Sequence, residues 1–158
     1  MSSNNESKSK WRAQTQMVRG GTARSPFDET SEGLFLTSGY VYGSAQDAEA
    51  AFKGDTDRYI YSRYGNPTVT MFQNRLALLE GAKHCVATSS GMAAVFATLA
   101  SQIGAGDRIV ASRALFGSCS YIVEDILPRF GAEAVLVDGT DLDQWAQALS
   151  KPTKCVFL

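Results

Sequence analysis

From Asn66 onward the apolar positions follow a regular plan. Val69, Phe72, Leu76 and Leu79 recur at helical spacing between Asn66, a good N-cap followed by Pro67 at the first helical position, and Gly81, which stops the run. Short apolar runs then alternate with helical ones. His84 to Thr88 reads as a strand, Ser90 to Ile103 as a helix ended by Gly104, and Asp107 to Ser112 as a strand. Gly117 to Phe130 reads as a helix in which Pro128 predicts an earlier end. Glu133 to Asp138 is the next strand, Thr140 with Asp143 forms a capping box for a helix through Leu149, and Lys154 to Leu158 begins another strand. Helices separating short apolar strands predict an α/β fold: a mostly parallel sheet with helices on both faces, right-handed crossovers, and ligands at the carboxyl ends of the strands.

Residues 1 to 60 lack this regularity and read as an extended arm, with 61 to 158 as the first part of the main domain. A short helix is expected around Trp11 to Val18, then an irregular stretch from Pro26 to Gly43, then a helix capped by Ser44 and ended after Phe52 by Gly54. Leu34, Phe35, Leu36, Tyr40 and Tyr42 are too many to leave wet and too few to form a core, so the arm is expected to pack on the main domain or on a second subunit. At its other end the chain stops inside an apolar strand, Cys155 to Leu158, without a turn or polar tail. That pattern is expected of the front part of a longer protein.

Charge narrows the partners. The 158 residues carry 15 Lys and Arg against 16 Asp and Glu, with no basic stripe interleaved with aromatics, so small-molecule chemistry is favoured over nucleic acid. No apolar run is long enough to span a bilayer, and Met1 to Lys10 has no signal-peptide core. The 3 cysteines, Cys85, Cys119 and Cys155, form no metal-like pair and read as reduced thiols, which suits a cytoplasmic protein without a metal site.

Two segments carry the chemistry. Ser89-Ser90-Gly91-Met92-Ala93-Ala94 puts a hydroxyl, a glycine and free backbone N–H groups at the start of a helix, where donors and dipole favour a phosphate. Tyr61-Ser62-Arg63-Tyr64-Gly65-Asn66-Pro67-Thr68 adds a phenol and a guanidinium two residues apart in a stretch read as extended, so that both point the same way. Each has a plainer reading: Tyr61 and Arg63 as surface groups, Ser90 as an ordinary cap, Phe116 as core. His84 reads as a strand-end residue, and Asp138 and Asp141 as parts of a turn and helix start.

On these motifs, in this order and spacing, the stretch from about Arg19 to Leu158 resembles the pyridoxal-phosphate enzymes of cysteine and methionine metabolism. The resemblance implies an incomplete fold type I PLP-dependent transferase. Ser90, Gly91 and Met92 would hold the phosphate of pyridoxal 5'-phosphate within one subunit, and Phe116, just before Gly117, would stack on the pyridine ring. Tyr61 and Arg63 would reach the phosphate of a neighbouring subunit, which implies a homo-oligomer built as a dimer of dimers. The Schiff-base lysine and the aspartate that pairs with the ring nitrogen lie beyond residue 158 in the family. None of Lys8, Lys10, Lys53, Lys83, Lys151 and Lys154 matches that lysine, so no catalytic residue is assigned and this stretch alone is expected to be inactive.

Within the family the lyases and synthases usually carry tyrosine where Phe116 stands. Phe116 with its neighbours, the Ser31 to Tyr42 arm and Tyr64 look most like the O-succinylhomoserine sulfhydrylase branch, which makes homocysteine for methionine biosynthesis from an amino-acid substrate and sulfide. Cystathionine γ-synthase, γ-lyase and O-acetylhomoserine sulfhydrylase remain open, as does a non-catalytic phosphate-binding or partner-binding chain.

Overall fold

The computed structural model describes residues 11–158 and divides into one unit up to Ala87 and another from Thr88 to Leu158. In the first unit, α1 (Ala13–Arg19), α2 (Ala45–Lys53) and α3 (Pro67–Leu79) are joined by irregular chain. Helix α1 packs against α3. Arg75 on α3 secures the connection, donating through Nε to the Gly20 carbonyl at 2.8 Å and through Nη2 to Thr22 at 3.1 Å, while pairing with Glu32. That guanidinium holds the Glu32 carboxyl below its ordinary range. Both ends of α2 form as the sequence predicts: Ser44 accepts from the Asp47 N–H, and Gly54 turns left-handed at φ 80°.

The arm's apolar residues divide in two. Tyr40 stacks on Tyr59 with ring centroids 5.7 Å apart, and Tyr42 lies against Phe52 and under the Arg58 guanidinium. Leu34 and Leu36 stay exposed, Leu36 at 93%. The strand expected over 84–88 does not form. A strand exists through its ladder, and the three strands that do form pair among themselves, leaving this segment without a partner among the described residues and Val86 exposed.

The second unit alternates helix and strand. Helix α4 (Gly91–Ala100) leads to β1 (Arg108–Ser112), followed by α5 (Gly117–Tyr121), a π-helical turn (Ile122–Ile126) and α6 (Leu127–Arg129). Then come β2 (Glu133–Val137), α7 (Leu142–Ala148) and β3 (Cys155–Phe157). The 3 strands are parallel in the order β2-β1-β3, with Val110 opposite Val135 on one side and Val156 on the other. Every residue of β1 is buried, as expected of a central parallel strand covered on both faces. Ile109 and Ala111 face Leu99, Ile103, Ile122, Val123 and Leu127, whereas Val110 faces Val137, Ala148 and Trp145. Helices therefore lie on both faces. The chain moves one way from β1 to β2 and back past β1 to β3, and right-handed crossovers then require the connecting helices to take opposite faces.

Two local expectations are corrected. Pro128 does not end its helix early: the Leu127 N–H reaches back to the Ile122 carbonyl, and this wider turn carries the chain to Arg129. A proline ring clashes with the carbonyl four residues back in a regular α-helix, and a π-turn relieves that crowding. The cap of α7 is Asp141 rather than Thr140. Its Oδ1 accepts from the Asp143 and Gln144 N–H groups, both at 3.0 Å, and its Oδ2 from Gln144 Nε2 at 2.8 Å. Thr140 is instead drawn to Asp138, which accepts from both its N–H and its hydroxyl.

Arg108 ties the head of β1 to the end of α7 and to the loop that leads into β3. Its Nη1 donates to the Ala148 carbonyl at 2.6 Å and to Thr153 at 2.9 Å, and its Nε to Glu133 at 3.1 Å. Glu133 is 59% exposed, so that ion pair contributes little, about 0–1 kcal/mol. The carbonyl bond is buried, and stranding its acceptor costs about 1–3 kcal/mol. Arg108→Ala should therefore destabilise the second unit by about 1–3 kcal/mol and Glu133→Gln by under about 1 kcal/mol, read by amide hydrogen exchange across β1–β3. Equal effects would show that the ion pair, not the buried bond, carries the tie.

The Asp141 cap is pH-dependent. The Gln144 N–H, then the Gln144 side chain, hold its carboxyl below the ordinary aspartate value of 3.8. A lowered carboxyl stabilises the fold above its unfolded-state value and loses that contribution as pH falls through the folded-state value. Exchange protection of the Asp143 and Gln144 amides should fall over that acid window. In Asp141→Asn, which keeps a capping oxygen without titrating, it should stay flat.

Candidate functional site

In the first unit, residues 61–65 form a turn rather than the expected extended stretch. The N–H groups of Tyr64 and Gly65 donate to the Tyr61 carbonyl at 2.9 and 3.1 Å. Tyr61 and Arg63 are neighbours all the same, because the turn folds the Arg63 guanidinium to 4.9 Å from the Tyr61 ring centroid. The same guanidinium lies 5.6 Å from the Tyr64 ring centroid. Arg63 forms no ion pair or hydrogen bond among the described residues, unlike Arg58, Arg75 and Arg108, each of which donates to a carbonyl. Its donors remain available to an anion.

Behind the turn is a rigid support. Buried Asn66 caps α3 through Oδ1, which accepts from the Thr68 N–H at 2.9 Å, while its Nδ2 donates to the Phe35 carbonyl at 2.9 Å and to Ser62 Oγ at 3.1 Å. Thr68 Oγ1 accepts from the Phe35 N–H at 2.9 Å, and the Ser62 N–H donates to the Ser38 carbonyl at 2.9 Å. Beside it an open cavity of about 980 Å³ is lined by Tyr40, Arg58, Tyr59, Tyr64 and Gly65 among others. The buried Tyr40 Oη has no partner among the described residues.

In the second unit, Ser90, Gly91 and Met92 form the head of α4. Ser90 Oγ accepts from the Ala93 N–H at 3.1 Å, and the Gly91 and Met92 N–H groups, which precede any intrahelical acceptor, are left unpaired among the described residues. No acidic side chain lies in the first turn to compete with an anion. The Met92 side chain packs on the core beneath, so its backbone is what it presents. Phe116 immediately precedes α5, which packs against α4. The ring is 73% exposed, so the reading of Phe116 as core is overturned. It is a free aromatic face.

Glycine positions test whether a phosphate cofactor fits. Gly91 has an ordinary φ, and a Cβ built on it meets nothing within 4 Å. Nothing in the backbone or packing of the described residues requires glycine there. Close approach by a group outside the chain would require it, at the unpaired N–H groups that favour an anion. The helix head suits an anion, and Phe116 separately offers an exposed aromatic face. Sequence reasoning missed that Tyr64 joins Tyr61 around Arg63, and the signal was present: a turn sets its first and fourth residues, here Tyr61 and Tyr64, close together.

A model of the Cys/Met metabolism PLP-dependent enzymes matches residues 14–158. An O-succinylhomoserine sulfhydrylase of Mycobacterium tuberculosis (strain CDC 1551 / Oshkosh) is 61% identical over 140 residues, which cover 89% of this chain and 34% of that protein. An L-methionine gamma-lyase of Fusobacterium nucleatum subsp. polymorphum is 35% identical over 91% of this chain and 36% of its own length. Among solved structures, one from Campylobacter jejuni described as an O-acetylhomoserine (thiol)-lyase, with N'-pyridoxyl-lysine-5'-monophosphate at position 205, superposes with a TM-score of 0.83 at 28% identity. That match covers 94% of this chain and 36% of the other. The chain thus spans about a third of the length of the relatives it matches, 34% in the Mycobacterium tuberculosis case. Across residues 14–158 it belongs to the Cys/Met metabolism family of enzymes, whose cofactor is pyridoxal 5'-phosphate.

Proposed function

We propose that the full-length protein is a cytoplasmic O-succinylhomoserine sulfhydrylase, replacing the γ-succinyloxy group of its substrate with sulfide to give homocysteine and succinate. The observation that carries this reading is the 61% identity to an O-succinylhomoserine sulfhydrylase, against 35% to an L-methionine gamma-lyase. Bound pyridoxal phosphate supplies an electron sink for proton loss from the substrate amino acid. This chain's residues bind and orient. The Gly91 and Met92 N–H groups and the Ser90 cap receive the phosphate of one site, and Phe116 offers its face to the pyridine ring. Having no hydroxyl, Phe116 moves no proton. The lysine and aspartate that complete the family's site are contributed from outside these residues.

Tyr61 and Arg63 act on the phosphate of a neighbouring subunit in a dimer of dimers. Three features support that assignment: Arg63 has donors without acceptors, Leu36 is exposed, and Tyr40 Oη is buried without a partner among the described residues.

Removing a charge-assisted contact to phosphate costs about 1.5–3 kcal/mol, so in the full-length protein Arg63→Ala should weaken pyridoxal phosphate binding by about 10- to 150-fold. Gly91→Ala should leave the fold intact, since its methyl meets nothing in the chain, yet weaken the cofactor by roughly the cost of overpacking, about 1–3 kcal/mol. Both are measured on apoenzyme by fluorescence titration, with pyridoxal as a control lacking phosphate. If both ligands weaken equally, these residues do not serve the phosphate.

The reaction is tested with O-succinylhomoserine and either sulfide or cysteine. Homocysteine from sulfide is expected as the main product, and Phe116→Tyr should change that rate by no more than about threefold because the aromatic face is kept. Phe116→Ala should bind the cofactor more weakly by about 1 kcal/mol while barely changing stability, the ring being exposed. Preference for cysteine would make the protein a cystathionine γ-synthase. Release of 2-oxobutanoate as main product would make it a γ-lyase.

A further inference from the structure

We infer that Tyr64 is a positioning residue for the phosphate-binding arginine, its ring holding the Arg63 guanidinium in place for the anion. The inference rests on the proposed role of Arg63. Tyr61 and Tyr64 stand at the first and fourth positions of a turn closed by the bond from the Tyr64 N–H to the Tyr61 carbonyl. The guanidinium of Arg63, at the third position, comes within cation–π range of both rings, 4.9 Å from one centroid and 5.6 Å from the other.

Nothing else holds this arginine. No carboxylate or carbonyl engages it among the described residues, and a free arginine side chain would lose about 2 kcal/mol of rotamer entropy on being fixed by a ligand. Ring contacts restrict it beforehand without using any of its N–H donors, all of which stay available to phosphate. A carboxylate partner would restrict it equally but would neutralise the charge and occupy two donors.

Tyr64 is suited to this use. It is 72% exposed, so it does little for a core, and its exposed ring is placed by the backbone rather than by burial. Gly65 lets the chain leave the turn close against Tyr59, since a Cβ there would come within 3.2 Å of that ring. The Ser62 and Asn66 bonds hold the segment on the far side. The rings therefore form a fixed platform beside a long, flexible cation.

The experiment uses the full-length protein as apoenzyme, titrated with pyridoxal phosphate and with pyridoxal, in wild type, Tyr64→Leu, Tyr64→Phe, Arg63→Ala and the Arg63→Ala/Tyr64→Leu double variant. Loss of one exposed cation–π contact predicts that Tyr64→Leu weakens pyridoxal phosphate by about two- to fivefold and leaves pyridoxal unchanged. Tyr64→Phe, which keeps the face, should match wild type, and Tyr64→Leu should add nothing once Arg63 is gone. Three outcomes overturn the inference while leaving Arg63 in its role: no effect of Tyr64→Leu, equal weakening of pyridoxal, or failure of Tyr64→Phe to rescue. The third would assign the contact to the phenol hydroxyl. An unchanged phosphate preference in Arg63→Ala would overturn the role of Arg63 and this inference with it.

Discussion

One buried side chain holds the first unit's turn at residues 61–65 in place. Asn66 uses its carbonyl to cap α3 and its amide to bond Phe35 and Ser62, so a single residue joins the head of a helix, the turn before it and a strip of chain more than 30 positions upstream. Each bond is worth only about 0.5–1.5 kcal/mol, but the partners would be stranded in a half-buried place without it. Aspartate would cap the helix equally well and could donate to neither acceptor. Thr68 repeats the logic, its hydroxyl accepting from the Phe35 N–H. The motif's Asn and Thr are therefore structural, and their effect is to fix the turn that carries Tyr61, Arg63 and Tyr64.

The second unit obtains its rigidity differently. The centre of β1 is at 0% exposure between two apolar layers, and the reversal of direction at this strand puts connecting helices on both faces. The helix heads at Gly91 and Gly117 are where backbone donors outnumber acceptors. The site proposed at Gly91 and Met92, made from main-chain N–H groups, needs no titrating side chain and keeps its donor strength across the working pH range.

In the proposed site, affinity for the cofactor comes from preorganisation more than from contact number. The hydrogen-bonded turn and the ring contacts restrict Arg63 beforehand, and the open space at Gly91 leaves room for the close approach proposed there.

Local rules sufficed where the determinant was local. Caps at Ser44, Asn66 and Ser90, the left-handed Gly54, the alternation that places β1, β2 and β3, and the paired motifs that identify the cofactor family were legible because each depends on a few adjacent residues. The 84–88 strand was not, since a strand's existence depends on a partner its own residues do not specify. Competition decided other points: Asp138 draws Thr140 away and Asp141 takes the cap, and the π-turn keeps Pro128 within its helix. The second half of Asn66 and the release of Phe116 to solvent likewise depend on distances across the fold. Sequence names the groups able to meet an anion; only tertiary structure decides which of them are already committed to another partner and which are free.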